Sequence, residues 1–416
     1  MGGSFLQLVA KGGQDLPLTG NPQMTFFKSI YRRHTNFSSE SVNVPLEGGI
    51  QWGMHTITKL PRKGDLISDI YISVELPKIS VTGPYPTVRW VDKLGHAMIE
   101  YVELYIGNEL IDRHTGEWLE LWSQLTLTEE RKATYYNMIG HKGSLIAEQI
   151  DEINPQMIYI PLTFWFCKNT GLALPIVALQ YHDIDVRIKF RNVEELYITS
   201  DSSNVVTVEP LKNVSLYVHY YYLDKEERRR FASKGHKYLI EQVQQTSDGI
   251  VGSNGSGSFP ISFNHPVKEL IWVAQRKQAM SKTYFKNAEN EYDYNDIFNY
   301  TASATAQFKY NMIDEMTIQL NGMDLLSSRE AQHFNLYVPY KHHTRSPETG
   351  VFVYTFSENP EEYQPSGTCN FSRIDNAHIK FTMNGQGNGD KVMRVYAVNY
   401  NILIIQGGQA GLAYTH

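Results

Sequence analysis

Apolar and polar side chains alternate along much of this chain, with the period of two that marks half-buried strands. The clearest case is Met316-Thr317-Ile318-Gln319-Leu320, followed by Asn321-Gly322, a turn pair whose residues tolerate positive φ. Ser327-Ser328-Arg329-Glu330 then reads as a capping box opening a short helix through Phe334. The same order occurs 214 residues earlier, where Val102-Glu103-Leu104-Tyr105-Ile106 alternates, turns at Gly107-Asn108 and leads to a helical Thr115–Leu121. A separation of about half the chain predicts two copies of one domain.

Further strands are predicted over 41–45, 51–59, 66–76, 101–106, 157–166, 183–190 and 211–222 in the first half. The second half predicts them over 238–245, 259–263, 267–275, 315–320, 351–356, 377–383 and 391–405. Long helical periodicity is absent, so short strands punctuated by Gly, Pro and Asn indicate an all-β sandwich or barrel. Leu223–Lys237 breaks the pattern: Asp224 can cap a charged helix that runs through Arg228-Arg229-Arg230 and stops at Gly235, a connector between the halves. Its arginines could suggest nucleic acid, but Glu226 and Glu227 partly neutralise so short a run. Asp248–Ser258, rich in Gly and Ser, reads as a flexible loop. Arg276–Met312 is a longer polar, tyrosine-rich insertion. Its Lys282, Lys286, Glu289, Glu291, Asp293 and Asp296 call for water, while Tyr284, Tyr292, Tyr294, Phe298 and Tyr300 can pack the loop on itself or against symmetry mates. Residues 1–24 look like an arm, although Leu6, Leu8 and Val9 are apolar and closely spaced.

At 416 residues the chain suits two domains of about 200 residues each. Hydrophobic residues at 42% and charged residues at 20% exclude disorder, and the 27 tyrosines favour strands. A net charge of −6 gives no basic footprint for nucleic acid. With only Cys167 and Cys369, no disulfide framework is expected, and free thiols suit a reducing compartment. The N-terminus does not read as a signal peptide, and the charge-free run Val395–Thr415 reads as a strand plus a tail.

Sites for chemistry are not apparent. Phosphate-binding glycine loops, HExxH and paired CxxC motifs are missing. None of the 14 histidines has an acid two residues later, as an iron site on one strand face would need. His342-His343 comes nearest to a metal site, but no carboxylate or cysteine sits at ligand spacing, so packing or hydrogen bonding is expected there. Neither His342, His343 nor Cys369 is expected to bind metal, and Cys167 reads as a small buried hydrophobe. No catalytic, cofactor-binding or metal-binding residue is therefore expected. Sequons at Asn36, Asn213, Asn254, Asn299 and Asn370 carry little weight without a leader peptide.

Several blocks resemble the major capsid proteins of nucleocytoplasmic large DNA viruses of the chlorella virus and iridovirus type. They are Leu18-Thr19-Gly20-Asn21-Pro22-Gln23 with Tyr31-Arg32-Arg33-His34-Thr35-Asn36-Phe37, Pro161-Leu162-Thr163-Phe164-Trp165-Phe166-Cys167, Pro339-Tyr340-Lys341-His342-His343-Thr344, and Gln364 through Asp375. Glu227-Arg228-Arg229-Arg230-Phe231 resembles the family's connecting helix. The resemblance implies a double jelly roll: two eight-stranded antiparallel β-sandwiches in tandem, with short helices in loops and at the connector. The division expected is arm 1–24, first jelly roll 25–222, connecting helix 223–237, second jelly roll 238–405 and tail 406–416. It also implies a non-enzymatic homotrimer, a pseudo-hexameric capsomer that tiles an icosahedral shell over an internal membrane. Its implied partners are neighbouring capsomers, minor capsid and penton proteins and that membrane, with no direct nucleic acid and synthesis in the host cytoplasm. The competing reading is a β-sandwich that binds or processes carbohydrate, which would show a catalytic constellation in one cleft.

Overall fold

In the computed structural model, residues 3–46, 50–83, 87–140, 152–199, 203–252, 254–280, 285–286, 292–293, 295–302, 310–385 and 389–415 are described. The chain divides into two compact units, Met1–Phe37 and Ser38–His416. The first unit contains short helices, Gly3–Val9 and Leu16–Thr19, neither of which has a buried residue. Its extent reaches beyond the 24 residues expected of an arm.

The second unit holds both jelly rolls. Core strands of the first are β1 (Phe37–Pro45), β2 (His55–Lys59), β3 (Leu66–Leu76), β4 (Ile99–Ile106), β5 (Glu109–Thr115), β6 (Gln156–Pro161), β7 (Ile184–Phe190) and β8 (Lys212–Leu223). One sheet runs β1-β8-β3-β6 and the other β2-β7-β4-β5. The second jelly roll uses β9 (His236–Gln245), β10 (Asn254–Ile261), β11 (Pro266–Arg276), β12 (Ile313–Leu320), β13 (Met323–Asp324), β14 (Val351–Thr355), β15 (Ala377–Asn384) and β16 (Lys391–Gln406). Its sheets, β9-β16-β11-β14 and β10-β15-β12-β13, repeat the order of the first.

Burial shows why the patterns read as they do. In β7 and β15 buried and half-buried residues alternate strictly, one face to the core and one toward solvent. In β11 every residue after Pro266 is buried, and β16 is buried without a break from Lys391 to Asn401. A strand covered on both faces loses its alternation. The sheet β9-β16-β11-β14 is therefore covered on a second side, and the first jelly roll covers it.

Both hairpin turns form as expected. Gly107 (φ 59°) and Asn108 (φ 68°) join β4 to β5, while Asn321 (φ 48°) and Gly322 (φ 82°) join β12 to β13. Asn321 Oδ1 also accepts from the backbone N–H groups of Asp375 and Asn376, tying this turn to the start of β15.

Other expectations are corrected. Ser327–Glu330 is not a capping box: Arg329–Glu330 pairs with β12, and Ser328 donates to Glu315. The helical segment starts after them, with a π turn at His333–Tyr337 leading to Val338–His342. Pro339 has no N–H to return to the preceding turn, which fits the wider π geometry just before it. Asp248–Ser258 contains strand residues Gly249–Val251 and the start of β10, because glycine lets large rings lie flat on the backbone. A Cβ at Gly257 would stand 2.6 Å from the Phe381 ring. The expected tail turns back as a strand, Gln409–Leu412, paired with β16. The strand expected over 157–166 stops at Pro161, and Trp165–Lys168 is a helical turn.

Lys282, Tyr284, Glu289, Glu291 and Tyr294 of the insertion lie outside the described residues. Where the insertion is described near its end, it is anchored rather than solvated. Asn295 Nδ2 donates to the carbonyls of Glu194 (2.7 Å) and Tyr197 (2.9 Å) in the first jelly roll. Asp296, expected in water, accepts from Asn299 Nδ2 at 2.6 Å, and burial pushes its carboxyl up. Tyr300 joins the cluster that contains Trp118 and Trp122 of the first jelly roll, and Phe298 packs against that cluster.

The two turns differ in one testable respect. Added Cβ atoms meet open space at Gly322 but would lie 2.3 Å from His182 Nδ1 at Gly107. His182 cannot yield freely, since Nδ1 accepts from Ala410 N–H at 3.2 Å. Gly322→Ala should cost about 1–2 kcal/mol of left-handed strain, and Gly107→Ala distinctly more. Equal losses in chemical denaturation would contradict this account.

Candidate functional site at the junction of the two jelly rolls

The covering element is helix α1 (Gly116–Thr126), which follows β5 directly. Thr115 caps it, its Oγ1 accepting from Trp118 N–H at 3.2 Å. Only glycine fits the first position, because a Cβ at Gly116 would lie 2.1 Å from the His96 carbonyl oxygen. Leu119 points into the first jelly roll's core. Trp118, Leu121, Trp122 and Leu125 face the other way, onto Ile271 and Val273 of β11, Val351 and Val353 of β14, and Tyr396 and Val398 of β16. The Trp118 and Trp122 rings stack at 5.4 Å.

Polar groups are locked into this apolar contact. Glu117 of α1 receives both arms of the Arg394 guanidinium, Nε at 2.6 Å and Nη2 at 2.6 Å. Tyr300 donates to the same carboxylate at 3.1 Å, and Tyr396 donates to its other oxygen. Burial alone would raise the Glu117 carboxyl, but the adjacent Arg394 outweighs it and holds it below the usual range. Farther along α1, Glu120 takes Lys93 Nζ at 2.5 Å, His96 Nδ1 at 2.9 Å and Gln124 Nε2 at 2.8 Å. Gln124 Oε1 accepts from Glu348 N–H at 3.0 Å, and its carbonyl accepts from Arg345 Nε at 2.9 Å. At the other edge, Glu241 of β9 is clamped between Lys168 of the first jelly roll (2.8 Å) and Lys268 (2.5 Å). Burial opposes its charge, but the two ammonium groups hold the carboxyl down at about 2.

His342 and His343 sit beside this junction in different roles. His342 is half-buried, its Nδ1 2.8 Å from the Glu358 carbonyl oxygen. His343 is buried with Nε2 3.0 Å from Glu269 and Nδ1 3.0 Å from Glu361. Burial would lower the imidazole, but Glu269 and Glu361 overcome it and raise it to about 9. Spacing in sequence missed both acids, because they come from β11 and the loop after β14. The ring is hydrogen-bonded to Glu361 and in ionic contact with Glu269, the arrangement of a structural ion triad. Among the described residues no group of three or more His, Cys, Asp and Glu side chains is placed to hold a metal. Cys167 and Cys369 are free thiols, and burial pushes both up, Cys167 to about 12.

The arrangement can hold two sandwiches at one angle, and comparison with known proteins gives that a context. A family described as major capsid protein N-terminus matches residues 25–224, and one described as large eukaryotic DNA virus major capsid protein matches residues 227–411. The chain is 39% identical to the major capsid protein of Pyramimonas orientalis virus and 36% identical to that of Phaeocystis pouchetii virus, over the full length of each. This chain belongs to the major capsid protein family of large eukaryotic DNA viruses. A solved structure of PBCV-1 VP54, fitted into a reconstruction of the virophage Sputnik, superposes with a TM-score of 0.80 at 30% identity, over 94% of this chain and all of that one. The Faustovirus major capsid protein, at 12% identity and a TM-score of 0.75, shares the fold. Within this family fold the Glu117–Arg394 pair and the His343 triad are the features that sequence inspection did not nominate. Each is formed by residues far apart in the chain.

Removing one partner of the buried pair leaves the other charged and alone. Glu117→Leu should cost about 3–5 kcal/mol, and adding Arg394→Met should recover much of that. Denaturation midpoints of the single and double variants decide it, and a single loss under about 1 kcal/mol would sink the proposed role. His343 adds a pH dependence. Its folded value, about 9, lies above the unfolded value of roughly 6.5, so its contribution is complete below that lower value and is lost as pH rises through 9. The stability gap between wild type and His343→Gln should therefore narrow across that window. A gap that stays constant or widens would show that the imidazolium is not what the two carboxylates hold.

Proposed function

We propose that the protein is a structural major capsid protein whose trimers form pseudo-hexagonal capsomers tiling the outer shell of a large icosahedral DNA virus. The observation that carries this reading is the junction: two like sandwiches fixed side by side as one body, the unit from which a three-fold oligomer can fill a six-fold position. The full-length likeness to viral capsid proteins supports it, as does the 30% identical match, at a TM-score of 0.78, to a chain of the PBCV-1 virus capsid. In this reading each chain supplies an arm, two shell-building jelly rolls and the connector α2 (Lys225–Ser233). The shell would lie over an internal membrane, with minor capsid and penton proteins as partners, after synthesis in the host cytoplasm.

The two ends of the sandwiches differ. Connector, β9 start and β16 end share one end, where His236 pairs with Ile405. Arg276 pairs with Lys391 at the opposite end, where the insertion begins. We place that end outward and the connector end inward. The N-terminal segment exposes Leu6, Val9 and Phe27 and carries Lys11, Lys28, Arg32 and Arg33, which suits docking beneath its own or a neighbouring subunit. For a carbohydrate-active sandwich, Asp314, Glu315 and Glu330 do line one open groove, but the full-length likeness to capsid proteins favours the structural reading.

Native mass spectrometry should give a trimer whose interfaces each bury roughly 2,000 Å² or more. Replacing residues 281–294 by a short Gly/Ser linker should keep the trimer and change surface recognition by antibody, since this swap spares the anchoring Asn295 and Tyr300. Deleting residues 1–24 should impair shell assembly. A stable monomer at micromolar concentration, or protection of 281–294 from protease in intact particles, would require the reading or its orientation to be abandoned.

A further inference from the structure

The helix that covers the second jelly roll has a counterpart whose outer face, among the described residues, stays exposed. Both follow the second strand of the same hairpin, and a shift of 215 positions aligns them. Leu119 then matches Phe334, each buried in its own sandwich. Trp118 and Trp122 match His333 and Tyr337, whose rings stack at 5.3 Å as the tryptophans do. Leu121, Trp122 and Leu125 are 0%, 6% and 0% exposed, whereas Leu336, Tyr337 and Tyr340 are 49%, 57% and 80% exposed. The same helical face is dry in the first jelly roll and wet in the second.

A matching receptor face exists on the first jelly roll. In the second, α1 lies on a surface where Ile271 pairs with Tyr396, and Val273 with Val351. In the first, Tyr71 pairs with Tyr217, and Ser73 with Tyr159, at the same places in β3, β8 and β6. Their neighbours Ile70, Ile72, Leu216 and Val218 fill the core, so these residues face outward. Tyr71 stacks on Tyr217 at 4.9 Å and meets Tyr159 edge-on at 6.1 Å, while Tyr159 remains 39% exposed. Such a tyrosine platform is built like the core of an interface.

We infer that the helical face of Leu336, Tyr337 and Tyr340 docks on the Tyr71–Tyr159–Tyr217 face of a second copy, repeating between chains the junction that α1 makes within one. This rests on the trimeric reading above and assigns its contact surface. The contact is head-to-tail, so each chain uses a different face toward each neighbour, and a ring closes only when the two junctions turn alike. Its chemistry is altered most at the ion pair. The positions of Glu117 and Arg394 are taken by Gln332 and Ser215, so the ion pair is replaced by neutral groups. A contact formed from water then avoids the cost of stripping two charges.

Native mass spectrometry and cross-linking of the full-length chain test this. A helix-face variant (Leu336→Asp with Tyr340→Asp) and a sheet-face variant (Tyr159→Asp with Tyr217→Asp) should each remain folded by circular dichroism. Each should lose the trimer, with association weakened roughly 30-fold or more. Mixed in equal amounts, the two should give a heterodimer and no trimer, because one intact helix face meets one intact sheet face. Should either variant unfold, Tyr337→Cys and Tyr159→Cys provide the second measurement. Together they should yield an oxidation-dependent bond between chains that neither single variant gives above the background of Cys167 and Cys369. A wild-type trimer that survives both face variants without that cross-link overturns this inference alone. A monomeric wild type would remove the trimeric reading as well.

Discussion

Burial of one β-sheet on both faces is the constraint from which the rest of this structure follows. Ile271, Val273, Val351, Val353 and Val398 form an apolar surface on the side of the second jelly roll that faces away from its own core. Apolar area of that kind is worth about 25 cal/mol per Å² removed from water. Separated from α1, the sheet would be a large exposed apolar patch, a hazard that soluble domains avoid. The two jelly rolls are therefore repeats in architecture but not independent in stability. The N-capped helix α1, with Trp118 and Trp122 on its outer face, covers that surface.

Charges inside the junction make the contact specific rather than merely adhesive. Apolar packing alone would tolerate sliding of α1 along the sheet. The bidentate fork of Arg394 on Glu117, with Tyr300 and Tyr396 on the same carboxylate, accepts one position only. The Lys168–Glu241–Lys268 clamp does the same at the edge of the sheet. Desolvating these ions costs several kcal/mol each and offsets much of their attraction. Their physical contribution is to fix the angle between the sandwiches, which is the quantity a shell-forming unit has to hold constant.

How much of this was legible in sequence depended on the distance over which each signal acts. The hairpins at Gly107-Asn108 and Asn321-Gly322 were readable because positive φ is a local demand that few residues meet. Strand β7 was readable because one face met core and the other did not. Asp248–Ser258 misled because Gly249 and Gly257 accommodate the rings of Phe259 and Phe381 rather than confer looseness. The end of the chain misled because pairing of Gln409–Leu412 with β16 is invisible without the turn at Gly407 and Gly408. His343 was noticed, but its acids Glu269 and Glu361 come from other elements, and no spacing rule could supply them.

The repeat also explains why its two copies have diverged where they have. Positions that build a sandwich are constrained alike in both halves, so Leu119 and Phe334 stay apolar and buried. Positions on the outer face of the helix answer to different partners. Within one chain the partner is tethered, the encounter entropy is already spent, and a buried ion pair can be tolerated for the orientation it enforces. A face that must find its partner from solution is better served by tyrosines, which carry large area with few rotatable bonds and a hydroxyl that keeps the free surface soluble. Trp122 against Tyr337, Leu125 against Tyr340 and Glu117 against Gln332 differ in that direction. The same backbone motif thus carries a covalently enforced contact in one half and the chemistry of a reversible one in the other.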